Sequence, residues 1–162
     1  RTSSCVCEAM GTHRSPHSPI VAPRPQVSPT TVFIAEDDDE FRGLLRGVLE
    51  EDGYEVLEAS NGEDALLFLA SAADGERPMP DVLIVDVNMP GFSGLGILRV
   101  VHRFERPPPS IVVTGFTDPS VELFARSFGA LRVLHKPLDL DEVLASVLDA
   151  AMRGAGPAGH VP

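Results

Sequence analysis

Glu36, Asp37 and Asp86 supply three carboxylates, Thr114 a hydroxyl and Lys136 the only lysine ammonium in a chain of 162 residues. Gathered in one crevice, three carboxylates would be costly on their own. Two unit charges about 4 Å apart repel by about 4 kcal/mol at an effective dielectric of 20. Such a cluster calls for a cation, and all-oxygen ligands select Mg²⁺ or a similarly hard ion, which keeps some waters and accepts a phosphate oxygen. A compact ammonium beside the acids suits a phosphoryl oxygen, and a hydroxyl can donate to another. A carboxylate nucleophile facing a metal-held phosphoryl group is the chemistry of an aspartyl phosphate. Any one of these acids could simply cap the next helix. Together, however, the five residues close the first, third, fourth and fifth strands, which points to a site.

Those strands can be read from the hydropathy pattern. Thr31 to Ala35 is a short apolar, β-favouring run that ends at Glu36-Asp37-Asp38. Asp39 is placed to cap a first helix with Phe41, Leu44, Leu45, Val48 and Leu49 at helical spacing, and Gly53 stops it. Gly43 and Gly47 fall inside that helix, where each costs about 1 kcal/mol relative to Ala; close packing or docking would be the reason. Tyr54 to Ala59 follows as a strand, and Asn61 caps a helix to about Ala73. Val82 to Val85 is uninterruptedly apolar, as a central parallel strand covered on both faces should be, and ends at Asp86. Next come a helix over Ser93 to Phe104, a strand over Ser110 to Thr114, and a helix with Asp118 as cap and Pro119 in its first turn. A fifth strand, about Leu131 to Leu134, runs through His135 into Lys136-Pro137. The last helix opens with Asp139 and Glu142 at capping-box spacing. Five strands alternating with five helices predict a doubly wound α/β domain with a parallel sheet, whose ligands bind outside the carboxyl ends of the strands.

Composition narrows the function classes. A chain with 43% hydrophobic residues can bury a core, and its length fits one domain with tails. The net charge of −11 argues against direct nucleic-acid or anionic-membrane binding, since both are polyanions. No apolar run approaches the roughly 20 residues that span a bilayer, so the expectation is a soluble, cytoplasmic protein. Residues 1–30 are rich in Ser and Pro and predict a disordered leader; 31–152 form the domain, and 153–162 a flexible tail. Cys5 and Cys7 make neither a disulfide framework nor a convincing zinc site, and the five histidines are scattered.

With these residues in place, the chain resembles a response-regulator receiver domain of two-component signalling over roughly Thr31 to Met152. The matching stretches are Val32-Phe33-Ile34-Ala35-Glu36-Asp37-Asp38, Asp81 through Gly91, Ile111-Val112-Val113-Thr114-Gly115 and Lys136-Pro137-Leu138. The resemblance implies a flavodoxin-like five-stranded sheet in order 2-1-3-4-5. It implies Asp86 as phosphoacceptor, and Glu36, Asp37, Asp86 and the Asn88 backbone carbonyl as Mg²⁺ ligands. Thr114 and Lys136 would bind the phosphoryl group and act as the switch, with a cis Lys136-Pro137 peptide. It also implies a sensor histidine kinase or phosphotransfer protein as donor, and a downstream partner on the face of the fourth helix, fifth strand and fifth helix. A phosphorylation-dependent homodimer is compatible with that face. The protein would be a signalling switch rather than an enzyme, either stand-alone or excised from a DNA-binding regulator or hybrid histidine kinase. Three features depart from the family. Residues 71–80 are long, Val133 stands where an aromatic usually rotates with the switch, and Phe116 stands where a polar group is frequent.

Two rival readings share parts of the pattern. An aspartate-nucleophile Mg²⁺ phosphohydrolase places a second Asp two residues after the nucleophile, where this chain has Asn88, and its acid pair follows the nucleophile rather than preceding it. A flavodoxin-like cofactor binder needs a hydroxyl- and glycine-rich first loop, whereas residues 36–40 read Glu-Asp-Asp-Asp-Glu.

Overall fold

A computed structural model describes residues 29–154. The expected leader (up to residue 28), both cysteines and the tail from residue 155 lie outside the described residues. Ten elements alternate in order: β1 (Thr31–Ala35), α1 (Asp39–Glu51), β2 (Glu55–Ala59), α2 (Gly62–Ala73), β3 (Val82–Asp86), α3 (Gly94–Val101), β4 (Ser110–Thr114), α4 (Pro119–Ser127), β5 (Ala130–His135) and α5 (Leu140–Gly154). All pairings are parallel, and the strand order is β2-β1-β3-β4-β5, the expected topology.

Alternation along the strands explains the two-sided core. Phe33, Ala35, Leu83, Val85 and Val112 face a cluster completed by Ala65 and Leu69 of α2, Ile97, Leu98 and Val101 of α3 and Ala125 of α4. Val32, Ile34, Val82, Ile84, Ile111 and Val113 face the opposite cluster, closed by Leu45 and Leu49 of α1 and Val143, Val147 and Ala150 of α5. Successive side chains point to opposite faces of a strand, so a sheet with helices on both sides calls for an unbroken apolar run in β3, Val82 to Val85, before its last residue, Asp86. Every residue of β3 and β4 is indeed buried. The order reverses between β1 and β3, and the crevice above that point holds the candidate site.

Local details differ from the sequence reading in instructive ways. Asp38, not Asp39, caps α1: its side chain accepts from the Glu40 and Phe41 N–H groups at 3.0 Å each. Three consecutive aspartates leave the register open by one, and Asp39 is the first helical residue. Helix α3 stops at Val101 because Arg103 and Phe104 donate to carbonyls only three residues back, tightening the chain out of the α-helix. In α5, Asp139 accepts from the Asp141 N–H at 3.0 Å rather than closing the capping box with Glu142. That helix continues to Gly154, so the expected tail from residue 153 begins inside it. Gly53 adopts φ +92° where the chain leaves α1, and the Tyr54 N–H returns to the Leu49 carbonyl at 3.0 Å. Close packing does not explain Gly43 and Gly47, since a Cβ at either would meet nothing, and the structure offers no other reason for them.

The long connection before β3 is pinned rather than open. Ser71 Oγ donates to Glu76 at 2.7 Å and accepts from Arg77 Nε at 3.2 Å. The Arg77 guanidinium lies 4.8 Å from the centre of the Phe68 ring, which itself stacks on Phe33 at 4.4 Å.

Candidate phosphoacceptor and metal site

Parallel pairing brings the carboxyl ends of β1, β3, β4 and β5 to one edge. Asp86, the last residue of β3, sits opposite Val113, and Thr114, the last of β4, sits opposite His135. Glu36 and Lys136 immediately follow β1 and β5. The loop after β3 must double back tightly, because a Cβ on Gly94 would lie 2.1 Å from the Asp86 carbonyl oxygen. Only glycine lets the first residue of α3 rest against that strand end.

The resulting cleft is about 360 Å³ and is lined by Glu36, Asp37, Asp38, Asp86, Asn88, Gly115, Phe116 and Lys136. Carboxylate oxygens of Glu36, Asp37 and Asp86 all lie within 4.8 Å of one another. Glu36 and Asp86 are buried, whereas Asp37 is exposed at the mouth. Lys136 Nζ donates to Glu36 Oε2 at 2.9 Å and lies 3.0 Å from Asp86 Oδ1. That second contact is an ion pair, and no other side chain or N–H reaches the buried Asp86 Oδ1. Asp86 Oδ2, in contrast, accepts the Asn88 N–H at 2.6 Å. Glu36 Oε1 accepts the Asp38 N–H at 3.2 Å.

The electrostatics follow from this crowding. Burial raises the Glu36 pKa and the neighbouring Asp86 charge adds to that, while the Lys136 hydrogen bond opposes it. Burial alone would lower the Lys136 pKa, but its contacts with Glu36 and Asp86 prevail and hold it above the ordinary lysine value. Lys136 is thus a permanent cation at neutral pH. Three carboxylates against one ammonium leave two negative charges, the balance a divalent ion would neutralise. The donor set is entirely oxygen, as a hard ion prefers, and one oxygen from each of three carboxylates converges within 4.8 Å; the residues present fit Mg²⁺.

Four of the five predicted side chains therefore meet: Glu36, Asp37, Asp86 and Lys136. The structure does not bring the Thr114 hydroxyl to the cleft. Thr114 is fully buried, its Oγ1 accepts the Phe116 N–H at 3.0 Å, and its carbonyl accepts the Lys136 N–H at 2.8 Å. The Lys136-Pro137 peptide is cis, as expected. Val133 is half-buried against the core formed with α2, α3 and α4.

Two participants escaped the sequence reading. The Phe41 ring lies 4.3 Å from Lys136 Nζ, so the ammonium is held between an aromatic face and two carboxylates. Helical spacing marked Phe41 only as a core position. Arg42 Nη1 donates to the Glu36 carbonyl at 2.8 Å. A cation in the first turn of a helix works against the helix dipole, and that was the available signal.

Comparison with known proteins agrees with this geometry. Residues 32–148 match the response regulator receiver domain family. The DNA-binding transcriptional regulator NtrC of Salmonella typhimurium is 34% identical over 116 residues, covering 72% of this chain and 24% of that protein. The chain thus spans about a quarter of the length of the NtrC proteins it matches. Sporulation initiation phosphotransferase F of Bacillus subtilis is 28% identical over 116 residues, covering 72% of this chain and 89% of that protein. Among solved structures, a response regulator from Chloroflexus aurantiacus superposes with a TM-score of 0.70 at 31% identity, covering 78% of this chain and all of that one. The fold, the strand-end cluster and the match over 32–148 together establish that this chain belongs to the response-regulator receiver domains of two-component systems.

Proposed function

We propose that the domain takes a phosphoryl group onto Asp86 from a histidine kinase or phosphotransfer protein and thereby switches its affinity for a partner. The observation that carries this reading is Asp86 Oδ1, a buried carboxylate oxygen 3.0 Å from Lys136 Nζ and grouped with the carboxylates of Glu36 and Asp37. In the transfer, an Asp86 oxygen attacks phosphorus, an acyl O–P bond forms, and the N–P bond to the donor imidazole breaks. Glu36, Asp37, Asp86 and the Asn88 carbonyl would hold Mg²⁺, which neutralises charge on the transferring phosphoryl oxygens. The Asn88 N–H fixes the other Asp86 oxygen and orients the nucleophile. Lys136, released from Glu36, pairs with a phosphoryl oxygen, and Thr114 turns its hydroxyl toward another. These added charge-assisted contacts bias an existing equilibrium between two arrangements of α4, β5 and α5.

The domain is a switch and not a turnover enzyme, and hydrolysis of its phosphoryl group is slow. Phe116 at the cleft mouth contributes by shielding the phosphoryl from water. Output passes through protein contacts in the cytoplasm, with no direct nucleic-acid or membrane role for this domain. A self-association that follows phosphorylation is one form such contacts take. The coverage of NtrC favours a second reading of the context, in which the domain is the receiver module of a larger DNA-binding regulator or hybrid kinase.

The test is labelling by radioactive acetyl phosphate with Mg²⁺. The wild-type chain takes up acid-labile phosphate, and Asp86→Asn abolishes it; labelling of that variant at an equal rate would overturn the assignment.

A further inference from the structure

We propose that Arg42 is a positioning residue for the metal site, holding the peptide between Glu36 and Asp37 in the orientation that Mg²⁺ requires. The inference rests on the metal reading above and extends it to a side chain that does not line the cleft. The Arg42 side chain is only 14% exposed, although it carries a charge at the start of a helix. Its three nitrogens are all engaged: Nη1 with the Glu36 carbonyl at 2.8 Å, Nε with Glu58 at 3.2 Å, and Nη2 with Asp39. Glu58 lies on β2 directly beside Ile34 of β1 and also accepts Arg46 Nη1 at 2.9 Å. The guanidinium thus ties the β1–α1 turn to the neighbouring strand.

The oxygen it grips belongs to the peptide that joins the two metal-binding acids. Glu36 N–H is already fixed on the Ala59 carbonyl at 3.1 Å. With Arg42 on its carbonyl, both backbone polar groups of Glu36 are held, and the Asp37 side chain departs from a peptide plane of set orientation. A planar fork can satisfy three acceptors at once, whereas a lysine ammonium is a point charge on a flexible stem. Mg²⁺ demands near-ideal octahedral geometry, while Ca²⁺ accepts variable coordination. Loosening the Glu36–Asp37 peptide therefore penalises Mg²⁺ more than Ca²⁺. A guanidinium acting through charge alone would do the reverse: it repels any divalent ion, and its removal would tighten both.

The experiment is calorimetric titration of the full chain with MgCl₂ and with CaCl₂ at fixed ionic strength, for wild type, Arg42→Met, Arg42→Lys and Glu58→Gln. Thermal unfolding of each variant is followed in parallel. Both Arg42 substitutions raise the Mg²⁺ dissociation constant about tenfold, in the range found when outer partners of metal ligands are removed. The Ca²⁺ constant rises by a smaller factor, so Mg²⁺-over-Ca²⁺ selectivity narrows. Glu58→Gln narrows it in the same direction by less, without altering α1. Mg²⁺ affinity that is unchanged or improved in the Arg42 variants, or equal weakening toward both ions, overturns the proposal. A wild-type chain that takes up no Mg²⁺ overturns the metal reading itself, an outcome distinct from a failure of the Arg42 variants alone.

Discussion

The cleft at the strand ends and the face formed by α4, β5 and α5 are built to different standards. In the cleft, Glu36 and Asp86 are buried, three of their four carboxylate oxygens accept a hydrogen bond, and the fourth is ion-paired with Lys136. On the other face, Leu123 and Phe124 of α4 are 69% and 53% exposed, Leu148 of α5 is 54% exposed, and Arg132 of β5 meets Asp149 only at 3.7 Å. A group transfer needs atoms held within fractions of an ångström, and therefore a buried, multiply constrained cluster. A partner surface needs exposed apolar area and freedom to rearrange. The molecule separates these two kinds of surface: buried β3 carries Asp86, the proposed phosphoacceptor, and the least buried helix, α4, lies across the sheet edge at β5, where partner binding is proposed.

Substitutions can break that contrast in graded fashion. The largest effect is expected at Gly94, where a methyl group would collide with the Asp86 carbonyl. Gly94→Ala should cost about 3 kcal/mol in chemical denaturation, at the upper end of overpacking, and should also slow phosphorylation by displacing the strand end. A stability loss below about 1 kcal/mol would show that the loop after β3 is softer than its close approach implies. Phe116→Glu, at a residue 43% exposed on the cleft rim, should leave folding intact and speed loss of the phosphoryl group. Positioning an attacking water should give at least about a tenfold rise in the autodephosphorylation rate, short of a full general base. An unchanged rate would remove the shielding role. The smallest effect on the domain itself is expected at Phe124. Phe124→Ser should change stability by no more than about 0.5 kcal/mol, while weakening capture of a partner that recognises the beryllofluoride-treated chain. A large drop in thermal midpoint would mean that the exposed ring is structural after all.

The contrast also marks what could be read from the chain alone. Parallel strands deliver their last residues to one edge, so Glu36, Asp37, Asp86 and Lys136 follow from hydropathy and strand order. Thr114 was correctly placed at a strand end, but the direction of its hydroxyl depends on the Phe116 N–H in the following loop, which no periodicity reports. The one-residue uncertainty between Asp38 and Asp39 arose because both are good caps, and backbone direction decided between them. Phe41 and Arg42 were missed because helical spacing tells which face a residue occupies, not how far its side chain reaches. The Arg42 contact crosses from α1 to both β1 and β2, a three-element meeting that exists only after folding. Val133 shows the converse: its size and place were evident, and the structure adds only that it is packed against the core.

Whether Asp86 accepts the phosphoryl group is tested most directly by chemical mapping. The chain is phosphorylated with acetyl phosphate and Mg²⁺, the acyl phosphate is reduced with borohydride, and the peptides are sequenced by mass spectrometry. Homoserine is expected at position 86 and nowhere else, with none formed when Mg²⁺ is withheld by a chelator. Homoserine at Asp37, Asp38 or another acid, or modification that ignores the chelator, would contradict that expectation.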